Sequence, residues 1–457
     1  MTTALDLSFE TLRDAVVKHY RQRTPKSAAA HKAAAAVMPG GDTRSTTYFD
    51  PYPLSMVHGF GCRMTDIDGW SYLDFLGNYT SLIHGHAHPD IVRVVTEQLA
   101  RGTAFGSPID AQTQLAAALC TRLPSLGAVR FCNSGTEATL NALRLAKAYT
   151  GRAKVLKMEG GYHGSHDAAE ISVAPPAHLM GPAHAPCAVA GSPGLFTGIT
   201  DDVIVAPFND LEATAALIDI HGSALAAVII EPVMGSAGVI PATSAYLTFL
   251  REATARCGAL LIFDEVVTLR LAYGGAQSIY GISPDLTAMG KIIGGGFPIG
   301  AFGGRRDVMA LLDPTAQVLR QSGTYNGNAV SMVAGLQALQ LLTAQEIERI
   351  NQLGDRLRGQ LSRVLADSGV DGYVGGIGSL LQLHLNAPAA VRNYRDTLTA
   401  PKALQETLHL ALLNEGFFGA VRGEYAISTP MTEVDIDEAV TRFRRALPKI
   451  GAQLQWR

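Results

Sequence analysis

The 457-residue chain is 47% hydrophobic and 17% charged, with a formal charge of −3, a balance that excludes a disordered chain and predicts a globular α/β protein. It has no long basic run and so no nucleic-acid footprint, and apolar stretches such as residues 224–230 fall far short of the roughly 20 residues that cross a bilayer, so the expected partners are small molecules. Five scattered cysteines (Cys62, Cys120, Cys132, Cys187, Cys257) contain no C-x-x-C pair, which argues against a disulfide framework and a thiolate zinc site; with Asp6, Glu10 and Asp14 where a leader peptide would be apolar, a cytoplasmic location is expected.

Residues 4–37 carry apolar positions at helical spacing and predict one or two amphipathic helices, ended by Pro39, Gly40 and Gly41. Residues 53–75 alternate in short pieces around Gly59, Gly61 and the turn Asp66-Ile67-Asp68-Gly69, which predicts a small antiparallel sheet. Beyond residue 85 short apolar runs (128–132, 155–158, 203–206, 226–230, 259–263) alternate with helical stretches, the pattern of a mostly parallel sheet covered on both faces. Helices are expected over 329–346, 353–366, 403–415 and 434–446, and strands over 380–385 and 425–428. The division expected is an N-terminal segment, 1–84, joining a C-terminal one, 329–457, in a smaller α+β domain packed on a large domain, 85–328.

Three constellations carry chemistry. Asn133-Ser134-Gly135-Thr136-Glu137 lies where a strand passes into a helix, and backbone N–H groups at a helix start with two hydroxyls make a seat for a phosphate; an ordinary serine cap reads the same way. Asp264, at the end of the apolar run 260–263, stands where open α/β sheets bind ligands, although a solvated strand end is the plainer alternative. Lys291, between apolar residues and the glycines 294–296, is partly desolvated, which lowers the pKa of an amine and suits it to attack an aldehyde. It is not a Walker loop, since Asp285 replaces the first glycine and Ile292 the hydroxyl residue. The run His84-Gly85-His86-Ala87-His88-Pro89-Asp90 invites a metal reading, but its residue order is wrong for one, and no metal site is expected.

An anion seat, an acid and a buried amine together describe a pyridoxal phosphate site. With Gly161-Tyr162-His163-Gly164, Glu231-Pro232, Phe263-Asp264-Glu265-Val266 and Ser322-Gly323-Thr324-Tyr325-Asn326-Gly327-Asn328, the motifs resemble, in order and from about Met38 onward, those of the class III aminotransferases of PLP fold type I. The resemblance implies that Lys291 carries the cofactor, that Asp264 keeps its ring nitrogen protonated, and that Ser134, Gly135 and Thr136 bind its phosphate. It also implies that Tyr162 and Val266 flank the ring, that His163 and Glu231 belong to the cofactor site, and that Thr324 reaches the phosphate of a neighbouring subunit in a homodimer with shared sites.

Two subgroups are close. Tyr273-Gly274-Gly275-Ala276-Gln277 and residues 290–306 look like glutamate-1-semialdehyde aminomutase, whose S-x-F-E-A segment is absent. Residues 39–45, Tyr52-Pro53-Leu54, Leu412-Leu413-Asn414-Glu415 and Val421-Arg422-Gly423-Glu424-Tyr425 are more similar to β-amino-acid (β-phenylalanine) aminotransferases. A substrate carboxylate calls for a fixed guanidinium, and by this resemblance Arg44 takes it, with Arg422 as a second contact near the entrance and Tyr79 lining the pocket. The expected reaction moves an amino group from a 3-amino acid to a 2-oxo acid such as 2-oxoglutarate or pyruvate. Intramolecular amino transfer, or an amine or D-amino-acid transaminase, are the alternatives.

Overall fold

The run Leu225–Ile230 has six consecutive buried residues, which a strand can offer only when both of its faces are covered. In the computed structural model, which describes residues 4–387 and 390–450, it is an inner strand of a seven-stranded sheet. The spatial order is Ala128–Cys132, Gly300–Gly304, Leu286–Gly290, Leu260–Asp264, Leu225–Ile230, Lys154–Met158, Val203–Ala206. Gly300–Gly304 is antiparallel to both neighbours and the remaining pairings are parallel. The helices Gly135–Thr150 and Ser244–Cys257 cover opposite faces, since their buried residues belong to separate apolar clusters with the sheet between them. Phe263 and Ile262 are completely enclosed, and burying a side chain of that size contributes about 1.5–3 kcal/mol.

The two ends of the chain meet. Met56–Phe60, Arg63–Asp66 and Ser71–Asp74 form antiparallel pairs, and Phe417–Phe418 adds a fourth, parallel strand from near the C-terminus. Phe75 stacks on Phe417 with ring centres 4.8 Å apart, and Phe417 meets Tyr425 edge-on at 5.0 Å. These rings join that sheet to a second one, Gly372–Ile377, Leu380–Leu385 and Glu424–Ala426. The first helix, Ala4–Arg23, docks on Lys402–Asn414, where Asn414 Nδ2 donates to the Val16 carbonyl at 3.1 Å. Residues 1–3 and 451–457 of the expected outer segments lie outside the described residues.

Several expectations need correction. The helix expected to run through 329–346 is two: Leu342 leaves helical geometry and Thr343 caps a new helix, Ala344–Asp367, by accepting the Glu346 N–H at 3.1 Å. Strands Leu286–Gly290, Gly300–Gly304 and Gly372–Ile377 were not expected; the last two are glycine-rich, and such runs have low strand propensity. The glycines are there for space: a Cβ at Gly300 would stand 1.9 Å from the Ser134 carbonyl oxygen and one at Gly304 2.1 Å from that of Asp285. The antiparallel sheet expected over 53–75 has a parallel edge supplied by a segment more than 300 residues away in sequence, which local pattern does not register.

Candidate active site

Asp264 ends its strand 4% exposed. Its Oδ2 lies 2.9 Å from His163 Nδ1 and its Oδ1 accepts the Val266 N–H at 3.1 Å. Burial pushes the His163 imidazole below the ordinary histidine value, against the pull of Asp264. His163 Nε2 is enclosed and has no partner.

Ser134 starts the helix Gly135–Thr150 as its N-cap, its Oγ accepting the Glu137 N–H at 3.1 Å. The next N–H groups, of Gly135 and Thr136, belong to the first turn and have no partner within the helix. A Cβ at Gly135 would stand 3.1 Å from both γ carbons of Val266, and one at Gly290 3.4 Å from the same side chain. The helix start, the residue two beyond Asp264 and the residue preceding Lys291 are therefore packed together. Thr136 Oγ1 accepts the Ser165 N–H at 3.3 Å, which ties the loop carrying Tyr162 and His163 to that helix start.

Lys291 leaves its strand at φ 50 and is half-buried. Burial holds its amine below the ordinary lysine value; Glu424, Glu231 and Asp264 pull it up and Arg422 pushes it down. Its Nζ has no hydrogen-bond partner among the described residues. Glu231 accepts the Tyr162 and Gly235 N–H groups at 2.9 and 3.0 Å, and burial, with Asp264 nearby, pushes its carboxyl up to about 8. Tyr162 presents its side chain 41% exposed.

The residues expected on the substrate side, Arg44, Tyr79 and Arg422, lie around one turn of the N-terminal segment. Arg422, whose guanidinium carbon is 6.0 Å from the Tyr79 ring centre, pairs with Glu424. Tyr79 OH donates to the Thr46 carbonyl at 2.5 Å, and Arg44 Nη1 donates to Asn78 Oδ1 at 2.8 Å. Arg44, Asn78 and Tyr79 line a cavity of about 410 Å³ bounded by Phe49, Met56 and Phe418. Thr324 is exposed and joins no other site residue of its own chain. In the histidine-rich turn, His84 engages Thr429 and the Ala338 carbonyl, and His86 engages Asp74.

Two features escaped sequence reasoning. Glu424 was read only as part of a motif, although it faces Arg422 and the Lys291 amine. Asn78 sits in an unusual backbone turn, for which the pair Gly77-Asn78, two residues tolerant of positive φ, was the available signal.

Fold and site define a class: an α/β enzyme whose amine, acid and anion-binding helix start converge at the carboxyl ends of a mainly parallel sheet. An unpartnered amine on a half-buried lysine, an acid at the end of a neighbouring strand and a helix start whose first N–H groups have no partner within the helix fit pyridoxal phosphate. Comparison with known proteins agrees. The description "Aminotransferase class-III" matches residues 46–447. Glutamate-1-semialdehyde 2,1-aminomutase of Methanothermobacter thermautotrophicus is 41% identical over 86% of this chain and 91% of its own; beta-phenylalanine transaminase of Variovorax paradoxus is 37% identical over 97% and 98%. An omega-transaminase from Sphaerobacter thermophilus has the same fold with a TM-score of 0.90 and 45% identity, covering 93% of this chain and 97% of that one. The chain belongs to the class III aminotransferase family and is a pyridoxal-phosphate-dependent aminotransferase of PLP fold type I.

Proposed function

We propose that the enzyme moves the amino group of a 3-amino acid, aromatic or aliphatic, to a 2-oxo acid such as 2-oxoglutarate or pyruvate. The observation that carries this reading is the placing of two arginines on adjacent residues of one turn, Arg44 on Asn78 without a carboxylate in ion-pair contact and Arg422 over Tyr79 and matched by Glu424. A transaminase seats the carboxylate of a donor and then that of an acceptor, and a fixed guanidinium suits both. Likeness to beta-phenylalanine transaminase along almost the whole chain supports the same choice.

When bound, pyridoxal phosphate supplies an aldehyde for the substrate amine and a ring that accepts an electron pair. In this reading Lys291 would hold the aldehyde, and its free Nζ would take the proton from the amine-bearing carbon. Asp264, fixed by His163, would hold a proton at the ring nitrogen. Ser134, Gly135 and Thr136 would hold the phosphate and Tyr162 and Val266 would line the ring's seat, with Glu231 fixing the backbone of Tyr162. Thr324, exposed on its own chain, reaches the neighbouring subunit's phosphate in a homodimer working in the cytoplasm. Among the described residues no helix is long and apolar enough to cross a membrane.

A second reading, intramolecular amino transfer, is favoured by the 41% identity to an aminomutase. Purified enzyme given 3-amino-3-phenylpropanoate with and without 2-oxoglutarate separates the two. Glutamate forming in step with donor consumption is expected, and turnover that ignores the oxo acid would reject the proposal.

A further inference from the structure

We propose that Asn78 is a positioning residue for Arg44: its amide oxygen, delivered by a left-handed turn of backbone, aims the guanidinium at a substrate carboxylate without itself adding a negative charge. This rests on the reading of Arg44 as the carboxylate-binding cation.

Four consecutive residues, Gly77, Asn78, Tyr79 and Thr80, have φ of 53, 49, 54 and 71, and the ψ values of Asn78 and Tyr79, 58 and 53, complete one turn of left-handed helix. The Thr80 N–H closes it on the Leu76 carbonyl at 2.9 Å. Glycine and asparagine visit this region readily, but tyrosine and threonine do not, so the turn persists only because its surroundings hold it. Asp74 Oδ1 accepts the N–H groups of Leu76 and Gly77 at 2.9 Å each, while its Oδ2 engages His86 at 2.7 Å. Asn78 Nδ2 donates to Ser81 Oγ at 3.2 Å, which fixes the amide with its oxygen toward Arg44.

The turn delivers adjacent residues to one place. Asn78 takes Arg44, and Tyr79 takes the Thr46 carbonyl two residues further on while lying beneath Arg422. An amide orients a guanidinium without neutralising it, unlike Glu424 on Arg422. Asp42, the other acid close to Arg44, is engaged by the Thr43 N–H at 2.6 Å, the Arg44 N–H at 3.3 Å and the Thr47 hydroxyl. Among the described residues the Arg44 guanidinium has no ion-pair partner.

Two substitutions separate this role from a structural one, because aspartate and glycine both accept the left-handed backbone. Asn78→Asp keeps the shape and adds a charge against Arg44; Asn78→Gly keeps the backbone and removes the oxygen. On the holoenzyme, kcat and KM for 3-aminobutanoate and the inhibition constant of butanoate, which lacks the amine, are measured together with thermal melting. Asn78→Asp is expected to raise KM and the inhibition constant at least about tenfold with kcat within about twofold, and Asn78→Gly to raise them less. Unchanged constants in Asn78→Asp, or a loss confined to kcat or melting temperature, would overturn the proposal. Arg44→Leu shows which reading has failed: if it too leaves both constants unchanged, Arg44 does not bind the carboxylate, and if it raises them while Asn78→Asp does not, only the positioning role falls. Should neither 3-aminobutanoate nor 3-amino-3-phenylpropanoate be a donor, the functional reading fails, and the butanoate constant against a working donor still decides the role of Asn78.

Discussion

Burial holds the Lys291 amine below its ordinary value of 10.5, with nearby acids only partly offsetting the effect. The uncharged amine is the nucleophile, so the rate at which cofactor-free enzyme takes up pyridoxal phosphate is expected to rise with pH and to level off below 10.5. A stopped-flow absorbance series checks this, and a rate still climbing above that pH would contradict it. At Asp264 the argument concerns a charge that must persist. Asp264→Asn keeps the shape and an amide oxygen that can still accept from His163 but removes the negative charge, so kcat/KM is expected to fall by at least about 100-fold while the cofactor stays bound. Steady-state kinetics with an absorbance spectrum of the same sample decide the point, and activity within tenfold of wild type would count against the role.

Individual elements show what the sequence makes legible. Asp264 at the end of its strand and the helix start at Ser134 were readable as local structure because an apolar run ending in an acid, and a Ser-Gly-Thr step into a helix, have local physical meanings. The strands holding Lys291 in register were not, since Gly300–Gly304 is glycine-rich for a clearance of 1.9 Å against another strand's end that no local window contains. The pairing of Arg422 with Glu424 was equally hidden: Arg422 stands in the turn before the strand Glu424–Ala426, and Gly423 between them has φ 86, so no strand periodicity puts the two on one face. The same spatial logic separates two glycines of the helix Ala344–Asp367. Nothing lies within 4 Å of a Cβ at Gly359, whereas one at Gly354 would stand 2.1 Å from the Gly378 carbonyl oxygen. Gly359→Ala is expected to stabilise the protein by about 0.5–1 kcal/mol, and Gly354→Ala to destabilise it by about 1–3 kcal/mol. Denaturant unfolding measures both, and equal effects would show that helix propensity alone governs the two sites.

For the whole molecule, the chain ends combine beside the central sheet, and contacts across the fold bring Arg44 to Asn78 and Arg422 to Tyr79. One strap binds the parts directly: Arg395 donates twice to the buried Glu159, at 2.7 and 2.9 Å, three residues before Tyr162. A site shared through Thr324 requires two subunits, so light scattering is expected to give about twice the 48.3 kDa chain mass, and a monomer with full activity would refute shared sites. The measurement closest to the central claim is borohydride reduction of the purified holoenzyme, followed by peptide mass mapping. The account predicts the reduced pyridoxyl phosphate mass on the peptide containing Lys291 and its loss in Lys291→Ala; a label on another lysine, or none on an active enzyme, would contradict it.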